Sequence, residues 1–213
     1  MSCKNILQSC RLYGIVDLGY VSPSAVSATT CALIDGGVRV IQLRAKGVEL
    51  SVVESLAREM QKICRERHAV FVLNDYPQLA ADIQADAVHV GQDGGPLEEV
   101  RRIVGADVLV GRSTHGLEQV RQAREEGADY IGFGPLFPTG TKPGRPAIGL
   151  SDIALAQEIA GDMPMFCIGG VNGATLSEVQ AAGARRVVIV SWLLQQADIS
   201  AAAAGIIRQL GEK

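Results

Sequence analysis

The sequence contains little of several residue types, and each shortage argues against a class of protein. Its 213 residues include one tryptophan and three histidines, and 23 acidic residues outnumber the 20 basic ones. Binding to a nucleic-acid backbone needs a clustered basic excess, which a net charge of −3 does not supply. No apolar run approaches the roughly 20 residues of a membrane-spanning helix. We therefore expect neither nucleic acid nor a membrane to be the principal partner.

The N-terminus and the cysteines indicate a cellular compartment. The first ten residues, MSCKNILQSC, lack the apolar stretch of a secretory signal. The cysteines are odd in number, are scattered and form no CxxC pair, so we expect reduced thiols and a cytoplasmic location. Three of them lie in apolar surroundings, where packing is their expected role: Cys31, Cys64 and Cys167.

Short β-branched segments alternate with longer segments of helical periodicity along the whole chain. The predicted strands cover residues 12–16, 38–43, 69–73, 86–90, 107–111, 129–133, 164–169 and 186–190. Eight strands that alternate with helices predict an α/β fold, a single (β/α)8 barrel over residues 1–213, with a short segment of about residues 1–11 before the first strand. An open doubly wound sheet is the alternative, although no GxGxxG motif follows the first strand.

Polar residues follow the predicted strands, at the ends where a (β/α)8 barrel carries its active site. The strand starts carry little that is comparable. The first five strands end in Asp17, in the segment 42–46, in Asn74 and Asp75, in the segment 91–93, and in the segment 113–115. We therefore expect an active site at the C-terminal face of the strands.

The second and third strand ends carry charges of opposite sign. Arg44 and Lys46 are two residues apart and can point to the same side, and two neighbouring cations repel unless an anion joins them. Asn74 and Asp75 offer hard oxygen ligands of the kind that Mg²⁺ accepts beside substrate phosphates. The same Asn-Asp pair before Pro77 is equally typical of a helix N-cap. This part of the mouth predicts a metal-assisted anion site.

The sixth strand runs into the loop FGPLFPTGTKPGRP, which is rich in hydrogen-bond donors and poor in acceptors. The hydroxyls of Thr139 and Thr141 and the ammonium of Lys142 suit a phosphate, although a surface turn with a solvated lysine is an equally good interpretation of the loop alone. After the seventh strand, Gly170 leaves its backbone amide accessible, and Ser191 lies just before the expected final helix. These residues predict a second anion site.

Motifs along nearly the whole chain, from Leu12 to about Ser191, resemble those of the thiamine phosphate synthase family. They are, in order, QLRAK, ND, HVGQ, GRSTH, GADYIGFGPLFPTGTK, IGG and VVIVS. The resemblance implies a (β/α)8-barrel transferase that joins a pyrimidine diphosphate to a thiazole phosphate and releases pyrophosphate. The implied step is dissociation of the pyrimidine-methyl diphosphate to a stabilised cation, followed by attack of the thiazole nitrogen.

The resemblance also implies roles for individual residues. The pyrimidine diphosphate would be held by Gln42, Arg44, Lys46 and Asn74. The departing pyrophosphate would be contacted by Ser113 and Lys142. The thiazole phosphate would be held by Thr139, Thr141, Gly170 and Ser191. Asp75 would bind Mg²⁺, the implied cofactor.

One segment departs from the family pattern. HVGQDGGP places Gly94 where the family has a second aspartate ligand, and Asp93 stands one residue earlier. A shift of one residue in a strand turns a side chain to the opposite face. Beyond the strand, however, the glycines can let Asp93 turn inward. We expect either that Asp93 has taken over the metal or that magnesium is weakly held.

Two other functions remain open at this point. A sister group on the same barrel, the thiazole tautomerases, needs an acid/base and no metal, and His115 stands at the position of its proposed acid/base. A structural histidine at a helix start is an equally good interpretation of His115, while Lys46, Asn74, Asp75 and Lys142 favour the synthase. The third alternative is a non-catalytic protein that binds thiazole phosphate or thiamine phosphate. The sequence does not decide whether the chain forms a homo-oligomer.

Overall fold

A computed structural model describes residues 2–140, 144 and 146–211 and contains a closed barrel of eight parallel strands. Each strand pairs with its sequence neighbours, and the first pairs with the last. The strands are β1 Leu12–Asp17, β2 Val40–Arg44, β3 Val70–Asn74, β4 Ala87–Val90, β5 Leu109–Thr114, β6 Tyr130–Phe133, β7 Met165–Cys167 and β8 Val187–Ile189. The predicted (β/α)8 barrel is confirmed, and the open sheet is wrong.

Helices follow the strands and cover the outside of the barrel. They are α1 Cys3–Ser9, α2 Val26–Asp35, α3 Leu50–Glu66, α4 Pro77–Asp82, α5 Leu97–Val104, α6 Leu117–Glu125, α7 Ile153–Ala160, α8 Leu176–Ala181, α9 Ser191–Leu194 and α10 Ile199–Gln209. The segment before β1 contains helix α1, which the sequence did not predict. The Ser2 side chain caps this helix by accepting from the Asn5 amide at 3.3 Å.

Most strand boundaries differ from the prediction by one to three residues, and two of these differences have a clear local reason. β7 ends at Cys167 instead of residue 169, because Gly169 adopts a φ of 96°, which an extended strand does not contain. β2 begins at Val40 instead of residue 38. The Val38 amide donates to the Leu33 carbonyl at 3.0 Å, so that residue still belongs to the turn after α2.

Side chains alternate along the strands between two separate cores. On β3, for example, Phe71 and Leu73 face the helices, and Val70 and Val72 belong to the barrel interior. The interior core is closed by α1, whose Leu7 is 1% exposed and packs with it. The interior row nearest the open end is polar, so the barrel has an apolar base and a polar mouth.

Three aromatic rings fill the middle of the barrel. Tyr13 and Tyr130 lie with ring centroids 6.0 Å apart, and Phe166 meets Tyr13 edge-on at 5.3 Å. Burial raises the pKa of both tyrosines above the ordinary phenol value, so the hydroxyls stay protonated even in alkaline solution. Gly111 pairs with Tyr130 across the sheet, and a Cβ there would lie 2.1 Å from Tyr130 Cζ. The missing side chain of Gly111 makes room for the tyrosine ring.

Gly111→Ala is therefore expected to destabilise the protein strongly. The methyl group overlaps a buried ring, and overpacking of this kind typically costs about 1–3 kcal/mol or more. Chemical denaturation monitored by circular dichroism measures the change in free energy of unfolding. The control is Gly91→Ala, because no atom lies within 4 Å of a Cβ at Gly91 and its φ of −78° suits alanine. Equal stability of the two variants would contradict this account of the interior.

None of the helices in the described part of the chain is long and apolar enough to cross a membrane.

All five cysteines are free thiols. Burial raises the pKa of Cys64 and Cys167 to about 12, in agreement with the predicted packing role of both. Cys31 is half-buried and not fully enclosed.

Candidate active site

The open end of the barrel contains a cavity of about 890 Å³, including its mouth. The cavity is bounded by the interior aromatic rings at its base and by the strand exits at its rim. Most of the residues that the sequence predicted for the site lie on its wall. These are Gln42, Arg44, Asn74, Ser113, His115, Thr139, Gly170 and Ser191. The strand ends thus meet in one place, as predicted.

The two cations of β2 and its exit are each paired with a carboxylate. Arg44 Nη1 lies 2.8 Å from Asp17 Oδ2, and this aspartate is only 2% exposed. Lys46 Nζ lies 3.0 Å from Asp75 Oδ2, in a pair that is more open to solvent. The expected repulsion between the cations is therefore relieved inside the protein, and an external anion is not needed for that purpose.

Asp75 is held at the rim by an unusual backbone. Asp75 and Tyr76 have φ values of 62° and 53°, which non-glycine residues adopt at a cost. The Asp75 amide donates to the His89 carbonyl at 2.8 Å, and Asn74 Nδ2 donates to Asp75 Oδ2 at 2.8 Å. Neither Asp75 nor Asn74 caps α4 with its side chain, since that helix lacks a side-chain cap. The helix-cap alternative for this pair is therefore wrong.

Ser113 lies on the cavity wall at the exit of β5 and is 7% exposed. Its Oγ is 3.0 Å from Nε2 of His89, a β4 residue that is 8% exposed. The backbone oxygen of Ser113 accepts from Gln92 Nε2 at 2.6 Å. The serine is therefore held from both sides by residues of β4 and the turn that follows it.

Gln42 lies deeper in the cavity and is oriented by a tyrosine. Its Nε2 donates to Tyr13 Oη at 2.7 Å, and the two tyrosine hydroxyls are 3.4 Å apart. The sequence predicted Gln42 but not Tyr13, which lies on the neighbouring strand.

The loops after β6 and β7 are joined by backbone hydrogen bonds. The amide of Leu136 donates to the Ile168 carbonyl at 2.9 Å, and the Phe137 amide donates to the Gly169 carbonyl at 3.0 Å. Gly170 has a φ of 68°, and a Cβ there would lie 2.5 Å from Phe137 Cβ. This close packing brings Thr139 and Gly170 to the same cavity wall. Thr141 and Lys142, also predicted for this site, lie outside the described residues.

The position of Ser191 corrects one detail of the prediction. Ser191 begins the four-residue helix α9, and the final helix starts later, at Ile199. A short extra helix after the eighth strand is a common part of phosphate sites in this fold. Ser191 still lines the cavity.

His115 lines the cavity at the end of β5. Its Nδ1 donates a hydrogen bond to the carbonyl of Gly134, and its backbone amide donates to Gln119 Oε1 at 2.8 Å. These bonds hold the ring against the loop after β6. They agree with the structural interpretation of this histidine, and its acid/base role stays a prediction.

Asp93 is exposed and lies in a single 3₁₀ turn, Gln92–Gly94, directly after β4. A Cβ at Gly94 would lie 2.9 Å from Val90 Cβ, so a side chain at this position requires the turn to shift. The close contact gives a packing reason for glycine at this position. The role of Asp93 as a metal ligand stays a prediction.

The described residues do not form a metal site from protein side chains alone. Among residues 2–140, 144 and 146–211, no group of three or more His, Cys, Asp or Glu side chains could hold a metal ion. Mg²⁺ commonly uses only one or two carboxylates and takes its other ligands from water and substrate phosphates. The carboxylate of Asp75 at the rim fits that mode of binding.

Several residues in or directly behind the cavity wall were not predicted as site residues. Tyr13, Asp17, His89 and Tyr130 contact the predicted residues or face the same space. The alternation of side chains along a strand could have indicated them. A residue two positions before a mouth residue points to the same side of the sheet and therefore into the barrel interior. His89 precedes Gly91 at the mouth in this way.

Comparisons with known proteins agree with this geometry. The family model described as thiamine monophosphate synthase matches residues 12–193. A thiamine-phosphate synthase of Acidothermus cellulolyticus is 42% identical over 208 residues, which cover 97% of this chain and 98% of that protein. A thiamine-phosphate synthase of Thermus thermophilus is 43% identical over 202 residues, with 94% and 97% coverage. The solved structure of a thiamine phosphate pyrophosphorylase from Pyrococcus furiosus superposes with a TM-score of 0.85, at 26% identity and 98% coverage of both chains. The chain therefore belongs to the thiamine monophosphate synthase family, whose members are transferases.

Proposed function

We propose that this protein condenses hydroxymethylpyrimidine diphosphate with thiazole phosphate, giving thiamine phosphate and pyrophosphate. The observation that carries the proposal is the convergence of Arg44, Asn74 and Ser113 on one cavity wall. These side chains come from three different strands, and the carboxylate of Asp75 adjoins them. A monophosphate site alone would not need this set, whereas a diphosphate with a metal ion uses every member of it.

The diphosphate would bind at the rim. Arg44 lines the cavity and brings a fixed positive charge, and the planar fork of N–H groups on a guanidinium matches the geometry of phosphate oxygens. The Lys46 side chain is 57% exposed and can leave Asp75 to meet a phosphate oxygen. Gln42, anchored by Tyr13, would contact the pyrimidine ring deeper in the cavity. The ring would then lie over the aromatic base with its diphosphate toward solvent.

The reaction requires stabilisation of charge and little covalent work by the protein. The C–O bond between the pyrimidine methylene and the diphosphate breaks, and the bonding pair leaves with pyrophosphate. The thiazole nitrogen then donates its lone pair to the resulting methylene cation. Arg44, Lys46 and Ser113 would stabilise the charge that develops on the leaving group, with Lys142 as a further predicted contact. The apolar base of the cavity keeps water from the cation.

Asp75 is the residue best placed to hold the implied Mg²⁺, with Asp93 as the predicted second ligand. When bound, the ion would neutralise part of the pyrophosphate charge. The protein contributes the position of the Asp75 carboxylate, which the left-handed backbone and the Asn74 amide hold at the rim.

The thiazole phosphate would bind on the opposite wall. Thr139, Gly170 and Ser191 line this side of the cavity, and Thr141 is predicted to join them. A hydroxyl, a backbone amide beside a glycine and the first residue of a short helix are suitable donors for a phosphate.

We also propose a cytoplasmic location, and a homo-oligomer remains an open prediction.

The proposal is tested by incubating the protein with both substrates and Mg²⁺ and measuring thiamine phosphate and pyrophosphate. We expect the two products in equal amounts, with no product when Mg²⁺ is removed by a chelator. Aromatisation of a thiazole carboxylate phosphate without condensation, lost in His115→Ala, would instead indicate the tautomerase. Binding of thiazole phosphate with neither reaction would indicate a binding protein. Both of these results would contradict the proposed function.

Asp93→Ala is expected to raise the Mg²⁺ concentration needed for half-maximal activity by roughly tenfold or more. Loss of a metal ligand typically reduces affinity by at least the 10- to 100-fold seen for supporting residues. The matched control is Asp107→Ala, another exposed aspartate, located before β5 at the other end of the strands. An unchanged Mg²⁺ requirement in Asp93→Ala would show that Asp93 has not replaced the missing ligand at Gly94.

A further inference from the structure

His89 is a buried polar residue on β4. Its ring centroid lies 5.4 Å from that of Tyr130, and its Nε2 lies 3.0 Å from Ser113 Oγ. Glycines lie beside the ring on the next two strands. Gly111 is its cross-strand partner, and a Cβ at Gly132 would lie 3.7 Å from His89 Cε1. The position of the imidazole is therefore set by the surrounding sheet.

From this arrangement we infer that His89 is a positioning residue that turns the Ser113 hydroxyl toward the departing pyrophosphate. The inference rests on the proposed function and adds a residue to it. His89 donates its Nε2–H to the Ser113 oxygen, and the serine proton is then directed into the cavity. His89 itself lies behind the serine and acts through it.

The reason lies in the single proton of a serine hydroxyl. If Nε2 accepted that proton, Ser113 would present only lone pairs to the phosphate oxygens, which are themselves acceptors. If Nε2 donates, Ser113 keeps its proton for the phosphate. The hydrogen bond from the serine hydroxyl to the anionic phosphate oxygen is then charge-assisted. Gln92 holds the backbone oxygen of Ser113 and His89 holds its Oγ, so the two cases differ in the direction of the hydroxyl proton. His89 sets it.

No proton is transferred in this arrangement. The bonding pair of the broken C–O bond leaves on the pyrophosphate oxygen, and Ser113 only hydrogen-bonds to the leaving group. The contact gains strength as charge develops, so its loss should lower kcat and leave the KM for thiazole phosphate nearly unchanged.

The test is a double-mutant cycle with His89→Leu and Ser113→Ala. Removing a hydrogen bond to a charged group typically lowers a rate by roughly 10- to 100-fold. Each single variant should therefore lower kcat by about that factor. Because His89 acts through the serine oxygen, adding His89→Leu to Ser113→Ala should cost less than a further twofold. Independent losses that multiply in the double variant would overturn the inference. So would a wild-type kcat in His89→Leu.

Conservative variants separate positioning from packing. Glutamine places its amide nitrogen near the location of imidazole Nε2, whereas the shorter asparagine does not reach it. His89→Gln should therefore recover part of the kcat that His89→Leu and His89→Asn lose. Equal rates in the three variants would overturn the inference, and His68→Asn, at an exposed turn with a φ of 56°, serves as the histidine control. Thermal melts by circular dichroism establish that each variant is folded.

Calorimetric titration with inorganic pyrophosphate and Mg²⁺ repeats the cycle without turnover. We expect His89→Leu and Ser113→Ala to weaken pyrophosphate binding by similar factors that do not multiply. If the wild type binds pyrophosphate in this way but makes no thiamine phosphate, the proposed function fails and the His89–Ser113 inference stands. If pyrophosphate does not bind, or if the two losses multiply, the inference fails.

Discussion

Asp75→Asn is expected to lower the kcat/KM for thiamine phosphate formation by on the order of 100-fold or more while leaving the protein folded. The substitution removes the carboxylate charge, and metal-assisted charge stabilisation is worth several kcal/mol, at about 1.4 kcal/mol for each tenfold in rate. Stability should change little, because asparagine tolerates the left-handed φ of 62° at this position. The ion pair between Asp75 and Lys46 is exposed to solvent, and such pairs contribute about 0–1 kcal/mol to the free energy of unfolding.

The measurement combines steady-state kinetics over a range of Mg²⁺ concentrations with a thermal melt. Asp82→Asn, an exposed aspartate at the end of α4, provides a matched control and should behave like the wild type in both. Retention of most of the activity by Asp75→Asn at low Mg²⁺ would remove Asp75 from the metal site. A large loss of stability would show that the carboxylate mainly holds the loop.

The second large effect concerns Arg44, whose loss should reduce both stability and activity. Arg44→Met leaves Asp17, which is 2% exposed, without its cationic partner. Removing one member of a buried ion pair costs about 3–5 kcal/mol, which in a domain of this size lowers Tm by roughly 10 °C. Activity should also fall, because the diphosphate loses the guanidinium.

A double variant separates these two consequences. Asp17→Asn combined with Arg44→Met removes the buried charge, and the amide oxygen can still accept from the Gly19 amide, as Asp17 Oδ1 does at 2.9 Å. We expect the double variant to recover most of the lost stability and none of the lost activity. Recovery of activity together with stability would mean that Arg44 serves the fold and does not contact the diphosphate.

The barrel could be predicted from the sequence because its signal is repeated eight times. Strands buried on both faces read as short β-branched runs, and glycines at the helix-to-strand joints separate them from the helices. The predicted strand boundaries are wrong where a local backbone conformation ends a strand before its apolar sequence ends. β7 stops before Gly169, whose left-handed φ ends the strand, although IGG continues the apolar pattern. Helix α1 was missed because a short polar segment has little periodicity.

The site could be predicted less completely, because spacing along the chain does not show which side chains pair across strands. Arg44 and Lys46 were expected to need an external anion, yet Asp17 and Asp75 already neutralise them. The contact between His89 and Ser113 joins different strands and depends on register. Gly111 is informative only once the Tyr130 ring that fills the space beside it is known.

A crystal structure of the protein with Mg²⁺ and pyrophosphate would show whether one anion meets groups from β2, β3 and β5 at once. We expect pyrophosphate within hydrogen-bond distance of Arg44 and Ser113, with the metal ion on the carboxylate of Asp75. Pyrophosphate bound away from these residues, or a metal ion that does not contact Asp75, would contradict this expectation.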